Sequence, residues 1–217
     1  MEEAVFVLEI LGTVAFSLSG VMTALEKDLD LLGVVVLGTI TAVGGGGLRD
    51  VLLGILPPML FRTPIYVTVA VAVSLLAFLV AYAMGDRFID RMERPSSMIN
   101  VMDAIGLGIF VVVGVRAAIR IGFAGNAFLS VFVGTVTGVG GGLMRDQLAG
   151  QIPMVLQKRV YALAALLGAA AYYVLVRLGV TEWVCLGTGV GLVIAIRLLA
   201  AHYRWKLPHI GRHGNAE

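Results

Sequence analysis

The chain has 217 residues, of which 59% are hydrophobic and 14% are charged, and its mean hydropathy is +0.96. In soluble domains roughly a quarter of the residues are charged, so this composition predicts a membrane protein and excludes an ordinary soluble fold. A net charge of +2 is too small to indicate a nucleic-acid partner, and a single cysteine, Cys185, excludes an intrachain disulfide.

Seven apolar stretches are long enough, or nearly so, to cross a bilayer as helices, which takes about 20 residues. The connections between them are short and polar, which leaves no room for a soluble domain. The sequence therefore predicts an all-α polytopic membrane protein with a single membrane domain over residues 1–217. The predicted spans lie roughly at 4–25, 31–56, 64–85, 99–119, 124–150, 159–179 and 183–203.

Basic residues in the loops and tail predict the orientation, because cytoplasmic loops are enriched in lysine and arginine. Nine lie on the side that holds loops one, three and five and the C-terminus, and four lie on the other side. We therefore expect a cytoplasmic tail at 204–217 and an N-terminus outside the cell. The nine are Lys27, Arg87, Arg91, Arg94, Lys158, Arg159, Arg204, Lys206 and Arg212, and the four are Arg62, Arg116, Arg120 and Arg177.

The sequence contains an internal repeat. Without a gap, Gly38–Pro57 matches Gly134–Pro153 at 12 of 20 positions. The repeats extend over about 4–85 and about 99–179, and each holds three spans. Because three is odd, the second copy enters the membrane in the opposite sense, which predicts an inverted repeat with a pseudo-twofold axis in the membrane plane. The seventh span, about 183–203, stands outside this symmetry.

Each repeat carries a glycine-rich motif in its second span. Glycine costs about 1 kcal/mol relative to alanine inside a helix, so a run of glycines predicts that the second and fifth helices are broken there. In inverted-repeat membrane proteins, such breaks form ion or substrate sites that face the protein interior or water. Close packing of helices is the alternative interpretation. The motif glycines are Gly44, Gly45, Gly46 and Gly47 in the first copy, and Gly140, Gly141 and Gly142 in the second.

An arginine and an aspartate follow each glycine motif, as Arg49-Asp50 and Arg145-Asp146. A charge at mid-membrane costs at least about 2.5–3.5 kcal/mol, and such residues usually face a bundle interior or an aqueous path. Neighbouring side chains on a helix do not face each other. We therefore expect cross-pairing about the pseudo-twofold axis, with Arg49 near Asp146 and Arg145 near Asp50. A purely structural ion pair is the alternative.

Further polar residues are candidates for an ion path. Glu9 and Asp103 occupy equivalent positions in the first and fourth spans, and Thr41 and Thr137 lie just before the glycine motifs. The two acids could also be merely solvated near the interface, and the two hydroxyls could bond back to their own helices.

Arg116 and Arg120 lie near the outer end of the fourth span. Long basic side chains in such positions usually reach towards the headgroups, so we expect an interfacial place for both and not a place in the pathway.

The sequence indicates no catalytic, cofactor or metal site. The glycine motifs lack the Gly-Lys-Ser/Thr ending of a P-loop, and the histidines have no metal-ligand spacing. No arrangement typical of a serine or cysteine nucleophile is present. We therefore expect no enzyme activity and no bound cofactor.

The duplicated GGG-x-x-R-D-x-L-x-G stretch and the three-plus-three-plus-one plan resemble those of the prokaryotic trimeric intracellular cation (TRIC) channels, over about residues 5–203. The resemblance implies a homotrimer in which each protomer has its own pore, lined by the first, second, fourth and fifth helices and kinked at the glycine motifs. It also implies conduction of monovalent cations, chiefly K⁺ with Na⁺ as a second ion, and membrane lipids as partners in the plasma membrane of a prokaryote. The motif glycines and the two Arg-Asp pairs are the functional residues that the resemblance carries over.

A secondary transporter of a small substrate such as glycine is the alternative. Relatives with this repeat are also described as carrying a glycine-transporter domain, and inverted repeats with broken helices occur equally in alternating-access carriers. In that case a small amino acid could place its carboxylate on Arg49 or Arg145. A scaffold protein with no open path is a third hypothesis.

Overall fold

The structure is a computed structural model that describes residues 2–85, 95–157, 160–203 and 205. Over these residues it is helical, without strands, and it contains seven long helices that are apolar enough to cross a membrane. The predicted all-α polytopic membrane fold is therefore confirmed. The helices are α1 (Glu2–Glu26), α2 (Leu31–Leu52), α3 (Ile65–Met84), α4 (Pro95–Arg120), α5 (Ala127–Leu148), α6 (Val160–Arg177) and α7 (Glu182–His202).

The second and fifth helices end earlier than predicted because a glycine turns the chain. After α2 ends at Leu52, Gly54 has a φ of 69°. The N–H of Ile55 donates a hydrogen bond to the carbonyl oxygen of Asp50 at 2.8 Å. A left-handed glycine followed by such a bond is the Schellman motif. Gly150, with a φ of 66°, ends α5 in the same way.

Both α2 and α5 remain α-helical throughout their glycine motifs, so the prediction that they are broken there is wrong. The glycines instead allow the two backbones to touch. A methyl group on Gly45 would lie 2.1 Å from the carbonyl oxygen of Thr137, and one on Gly141 would lie 2.2 Å from that of Thr41. Close helix packing, the alternative interpretation, therefore accounts for these residues.

Contacts between the first half (α1–α3) and the second half (α4–α6) are reciprocal. A methyl group on Gly12 would contact the ring of Phe110, and one on the equivalent Gly106 would contact the ring of Phe16. The two rings stack with their centroids 5.3 Å apart. Reciprocal contacts of this kind are what a twofold axis requires, and they show that α1 crosses α4, and α2 crosses α5, in antiparallel directions.

The seventh helix packs against α4 and α6 and, within the described residues, has no close backbone approach to the first half. Its seat is lined by glycines. A methyl group on Gly108 would lie 3.0 Å from a backbone oxygen of α7, and one on Gly168 would lie 2.1 Å from a valine side chain of α7. The equivalent positions of the first half hold Val14 and Val73. The first half therefore lacks the groove that receives α7.

The orientation stays a prediction, and most of the residues behind it lie outside the described part of the chain. This applies to the tail predicted at 204–217, apart from Trp205. It also applies to eight of the nine basic residues counted for the cytoplasmic side, namely Arg87, Arg91, Arg94, Lys158, Arg159, Arg204, Lys206 and Arg212.

Candidate ion pathway

In both halves the arginine pairs with the aspartate that follows it. The Nε of Arg49 donates to Oδ1 of Asp50 at 2.8 Å, and the Nε of Arg145 donates to Oδ1 of Asp146 at 2.8 Å. The predicted cross-pairing is therefore wrong. The helices α2 and α5 cross at their glycine motifs, and each Arg-Asp pair begins four residues, or about 6 Å, after the crossing. Because the two helices are antiparallel, the two Arg-Asp pairs lie on opposite sides of the crossing. Arginine is long enough to fold back onto the adjacent carboxylate.

Each aspartate also fastens the end of its helix to the following loop. The backbone N–H of Met59 donates to Oδ2 of Asp50 at 2.7 Å, and that of Met154 donates to Oδ2 of Asp146 at 2.6 Å. In the second half the side-chain amide of Gln151 adds a bond to Asp146 at 3.2 Å. The repeated Arg-Asp motif is thus a structural unit at the end of α2 and of α5.

The first Arg-Asp pair and two neighbouring side chains form what we call the first cluster: Glu9, Arg49, Asp50 and Tyr66. The hydroxyl of Tyr66 donates a hydrogen bond to the Glu9 carboxylate. Within the described residues, the structure shows no cation paired with Glu9. Two carboxylates and one guanidinium give this cluster a formal charge of −1.

The first cluster opens to the protein surface. Three adjoining cavities of about 470, 320 and 40 Å³ share Glu9 and Arg49 in their walls. The larger two are also lined by Arg116, and the smallest reaches Gly46 and Phe110 beside the helix crossing. The three cavities therefore form a series, with charged walls, between one face of the protein and the helix crossing.

Arg116 and Arg120 line the outer part of this series of cavities. The Nε of Arg116 lies 2.7 Å from a carboxylate oxygen of Glu182, and its Nη2 lies 3.0 Å from Glu2. Arg120 pairs with Glu2 at 2.7 Å. The side chain of Arg116 is only 11% exposed, and both arginines line the two larger cavities, while their interfacial depth in the membrane stays a prediction. These ion pairs join the ends of α1, α4 and α7 around the mouth of the series.

The second motif lies in a closed environment. We call Asp103, Arg145, Asp146, Tyr161 and Arg197 the second cluster, and all five side chains are buried. The Nη1 of Arg145 donates to Oδ1 of Asp103 at 2.8 Å and also to the hydroxyl of Ser19. No wall of the three cavities contains a member of this cluster.

Arg197 of α7 completes the second cluster. Its Nη2 lies 3.8 Å from Oδ2 of Asp103, and its guanidinium carbon lies 4.5 Å from the centre of the Tyr161 ring. A guanidinium over an aromatic face is attracted by the ring electrons. With two carboxylates and two guanidiniums, the cluster has a formal charge of zero.

The glycines next to the two clusters have different surroundings. A methyl group on Gly46 would find its nearest neighbour, Nη2 of Arg49, at 3.9 Å. One on the equivalent Gly142 would lie 2.9 Å from the Tyr161 hydroxyl and 3.4 Å from Asp103. The space that is open in the first half is therefore filled by side chains in the second.

The remaining candidate glycines serve packing between helices. A methyl group on Gly44 would lie 2.6 Å from the sulfur of Met144, and one on Gly140 would lie 2.9 Å from Leu48. One on Gly47, which also lines the smallest cavity, would lie 3.1 Å from a leucine side chain.

Thr41 and Thr137 also belong to the helix crossing. Their hydroxyls donate to the carbonyl oxygens of Leu37 and Val133, each at 2.6 Å. Both threonines are fully buried, and neither lines the three cavities. The alternative that these hydroxyls bond back to their own helices is therefore correct.

The sequence interpretation missed Arg197, and a signal for it exists. Arg197 is the only charged residue between Glu182 and His202, within the apolar run of α7. An ionisable residue inside a membrane span usually faces the bundle interior and has a partner there. Tyr66 and Tyr161 occupy equivalent positions in the two repeats, after Pro58-Met59 and Pro153-Met154, which is a sequence signal for the two tyrosines.

Comparisons with known proteins agree with this arrangement. A family model described as "Glycine transporter" matches residues 6–82 and 100–177, which coincide with the two predicted repeats. A UPF0126 membrane protein of Deinococcus radiodurans is 41% identical over 177 residues, covering 81% of this chain and 78% of the relative. The UPF0126 inner membrane protein YadS of Escherichia coli K12 is 37% identical over 211 residues, covering 94% and 93%.

Two solved structures share the fold. One, from a study of conductance through TRIC cation channels, has a TM-score of 0.82 and 36% identity, covering 96% of this chain and 98% of the other. The other is the TRIC channel orthologue of Rhodobacter sphaeroides, with a TM-score of 0.82 and 31% identity, covering 93% and 99%.

Proposed function

The chain belongs to the family of the UPF0126 membrane proteins and prokaryotic TRIC channels, and from this premise we propose that it is a cation channel with one pathway in each protomer. Its relatives of known structure are described as cation channels. Monovalent cations are the proposed permeant ions, with K⁺ as the main ion and Na⁺ as a second.

The proposed pathway runs between the two inverted repeats, along α1, α2, α4 and α5. It begins at the first cluster, passes the helix crossing at Gly45 and Gly141, and ends at the second cluster. In this arrangement the whole chain is one membrane domain, with repeats over about 4–85 and 99–179, a seventh helix, and a tail.

The observation that carries the proposal is the charge of the smallest, innermost cavity. Its charged lining residues are Glu9, Arg49 and Asp50, with a formal charge of −1, whereas the two larger cavities are also lined by Arg116 and Arg120. An excess of one sign of charge raises the local concentration of the opposite ion. Glu9 supplies the uncompensated carboxylate, so a cation is favoured over an anion at the inner end of the cavity.

The arrangement corresponds to a pathway that is open at one face and closed at the other. The second cluster closes it, because Tyr161, Asp103 and Arg145 fill the space next to Gly142, and Arg197 lies beside Asp103. With the predicted orientation, the open face lies outside the cell and the closed face lies towards the cytoplasm. Passage of ions therefore requires the second cluster to rearrange.

The relatives' description as trimeric channels extends the proposal to a homotrimer surrounded by lipid in the plasma membrane of a prokaryote. The exposed faces of the helices are rich in large apolar side chains, including Leu76, Leu79 and Tyr82 on α3, which suits contact with lipid or with a neighbouring protomer.

Purified protein in a planar bilayer with asymmetric KCl tests this function. We expect discrete currents that reverse near the K⁺ equilibrium potential, and a lower K⁺ current in Glu9→Gln than in the unaltered protein. Currents that reverse near the Cl⁻ equilibrium potential, or that are unchanged in Glu9→Gln, would contradict the proposal.

A secondary transporter of a small amino acid is the second candidate, and a specific observation favours it. Glu9 and Arg49 line the same inner cavity, so a zwitterion could place its amine on the first and its carboxylate on the second. One open face and one closed face are also what an alternating-access carrier presents. Saturable uptake of labelled glycine into liposomes, together with the absence of unitary currents, would support the transporter hypothesis and contradict the channel hypothesis.

A further inference from the structure

Arg197 has no counterpart in the first half. It belongs to α7, which lies outside the repeat and packs only against the second half within the described residues. The repeated residues of the second cluster alone, Asp103, Arg145 and Asp146, would have the same formal charge of −1 as their equivalents in the first cluster. Arg197 thus changes the charge of one half of the pathway and leaves the other half unchanged.

Its contact with Asp103 is one of charge and not of hydrogen-bond geometry. The distance of 3.8 Å between Nη2 of Arg197 and Oδ2 of Asp103 is too long for a hydrogen bond. Both side chains are nevertheless at least 97% buried, where an unpaired ion is very costly. The guanidinium of Arg197 therefore compensates the charge of the Asp103 carboxylate.

Unpartnered buried atoms collect around this contact. Five buried side-chain atoms lack a hydrogen-bond partner in the part of the chain that the structure describes, and four of them belong to the second cluster. They are Oδ2 of Asp103, Nη2 of Arg145, the hydroxyl oxygen of Tyr161 and Nε of Arg197. Buried polar groups that protein atoms satisfy incompletely are typical of functional sites and of bound water, and four such groups meet around Asp103.

We propose that Arg197 is a positioning residue that acts through Asp103 and holds the second cluster at zero charge. The closed half then has no excess of cations, while the open half, with its charge of −1, attracts them. This inference rests on the proposed channel function. It assigns to the seventh helix the control of how readily cations enter the closed half.

Removing the positive charge should make the second half resemble the first. Arg197→Met keeps most of the side-chain length and changes the formal charge of the second cluster from zero to −1. Clefts lined by one sign of charge raise the local concentration of the opposite ion by about tenfold or more, so we expect one excess carboxylate to raise the K⁺ current in 0.1 M KCl by up to about tenfold. Cation over anion selectivity should rise with it.

A charge-neutral double variant separates this role from packing. Asp103→Asn alone gives the second cluster a charge of +1, and we expect a lower K⁺ current. Together with Arg197→Met it restores zero, and the current and reversal potential should return to within about twofold of those of the unaltered protein, because the net field on the path is restored. Arg197→Lys should also stay near the unaltered protein, and Arg177→Met, at an exposed arginine of α6, is the matched control.

Planar-bilayer recordings of these variants decide the matter. A current and a reversal potential in Arg197→Met equal to those of the unaltered protein would overturn the proposal, as would a double variant more impaired than either single one. If Arg197→Met does not fold, the neutral double variant still should, and its failure to fold would also count against the proposal.

A measurement without current keeps this inference separate from the channel function. Thermal unfolding of the two single variants and the double variant gives a double-mutant cycle. We expect the double variant to melt at a higher temperature than Arg197→Met, because the uncompensated carboxylate is removed. Strictly additive effects would overturn the pairing even if the unaltered protein gave no current, a result that by itself would contradict only the channel.

Discussion

The first and second clusters have the same repeated motif but different surroundings. In each, an arginine folds onto the next aspartate, and that aspartate accepts a backbone N–H from the following loop. Yet the first cluster faces a cavity, while all members of the second are buried. Twofold symmetry of the backbone therefore does not make the two clusters equivalent.

Single differences between equivalent residues explain part of this contrast. Asp103 is bonded by Arg145, whereas the longer Glu9 is bonded by the hydroxyl of Tyr66. Ser19 accepts a hydrogen bond from Arg145, while the equivalent position next to Arg49 holds Val113, which cannot accept one. The state of each end thus depends on a few side chains around a common motif.

Removing the aspartate of each motif should reveal the contrast most strongly. Asp146→Ala leaves the buried guanidinium of Arg145 and the N–H of Met154 without a partner, so we expect the free energy of unfolding to fall by about 3–5 kcal/mol. Asp50→Ala should cost about 1–3 kcal/mol, because Arg49 can still reach water. Thermal unfolding in detergent measures both, and equal losses would contradict the difference in burial.

The helix crossing offers the opposite case, in which the two halves should respond alike. Gly45→Ala and Gly141→Ala each place a methyl group against a backbone oxygen of the facing helix, which no side-chain movement can relieve. We expect each to lower the free energy of unfolding by about 3 kcal/mol, the upper end of the usual cost of overpacking. Gly191→Ala, whose added methyl group has no atom of the described part of the chain within 4 Å, is the control. A loss in one variant only would show that the crossing is not symmetric.

The next glycine of each motif should separate the halves again. Gly142→Ala forces the Tyr161 hydroxyl to move, and we expect a loss of about 1–2 kcal/mol in the free energy of unfolding. Gly46→Ala faces the open cavity and should change stability by less than about 0.5 kcal/mol while it lowers the K⁺ current. Unfolding and current are to be measured on the same preparations. A stable Gly142→Ala with an unstable Gly46→Ala would reverse the assignment of open and closed halves.

Substitution of the two tyrosines should have the smallest effect on stability, and here the first half should lose more than the second. Tyr66→Phe removes a hydrogen bond to Glu9 and should lower the free energy of unfolding by about 1 kcal/mol. Tyr161→Phe removes a hydroxyl that has no hydrogen-bond partner among the described residues, so the loss should be below about 0.5 kcal/mol. Thermal melts of the two variants test this. A larger loss for Tyr161→Phe would mean that its hydroxyl is bonded after all.

The sequence predicted the seven helices well because hydropathy and length determine which segments span a membrane. The ends of α2 and α5 were less certain, since they depend on the left-handed conformation of Gly54 and Gly150 and not on hydropathy. The predicted breaks failed for a related reason. Helix propensity counts the cost of each glycine, but the gain from backbone contact at Gly45 and Gly141 appears only in the folded protein.

The sites were predicted less completely than the fold. The motif residues were found, but the pairing of Arg49 and Arg145 depends on where α2 and α5 cross, which the repeat alone does not give. Arg197 was detectable as a lone charge in an apolar span. Its partner was not, because only packing of α7 on the second half brings it to Asp103.

The glycine-lined surface that receives α7 makes the two three-helix units different from each other. Two inverted three-helix units alone would present the same backbone arrangement to both sides of the membrane, and only their side chains would differ. Gly108 and Gly168 leave room for a further helix on one unit, whereas the larger Val14 and Val73 leave none on the other. Two pairs of small and branched residues thus add a difference in architecture to the side-chain differences between the two clusters.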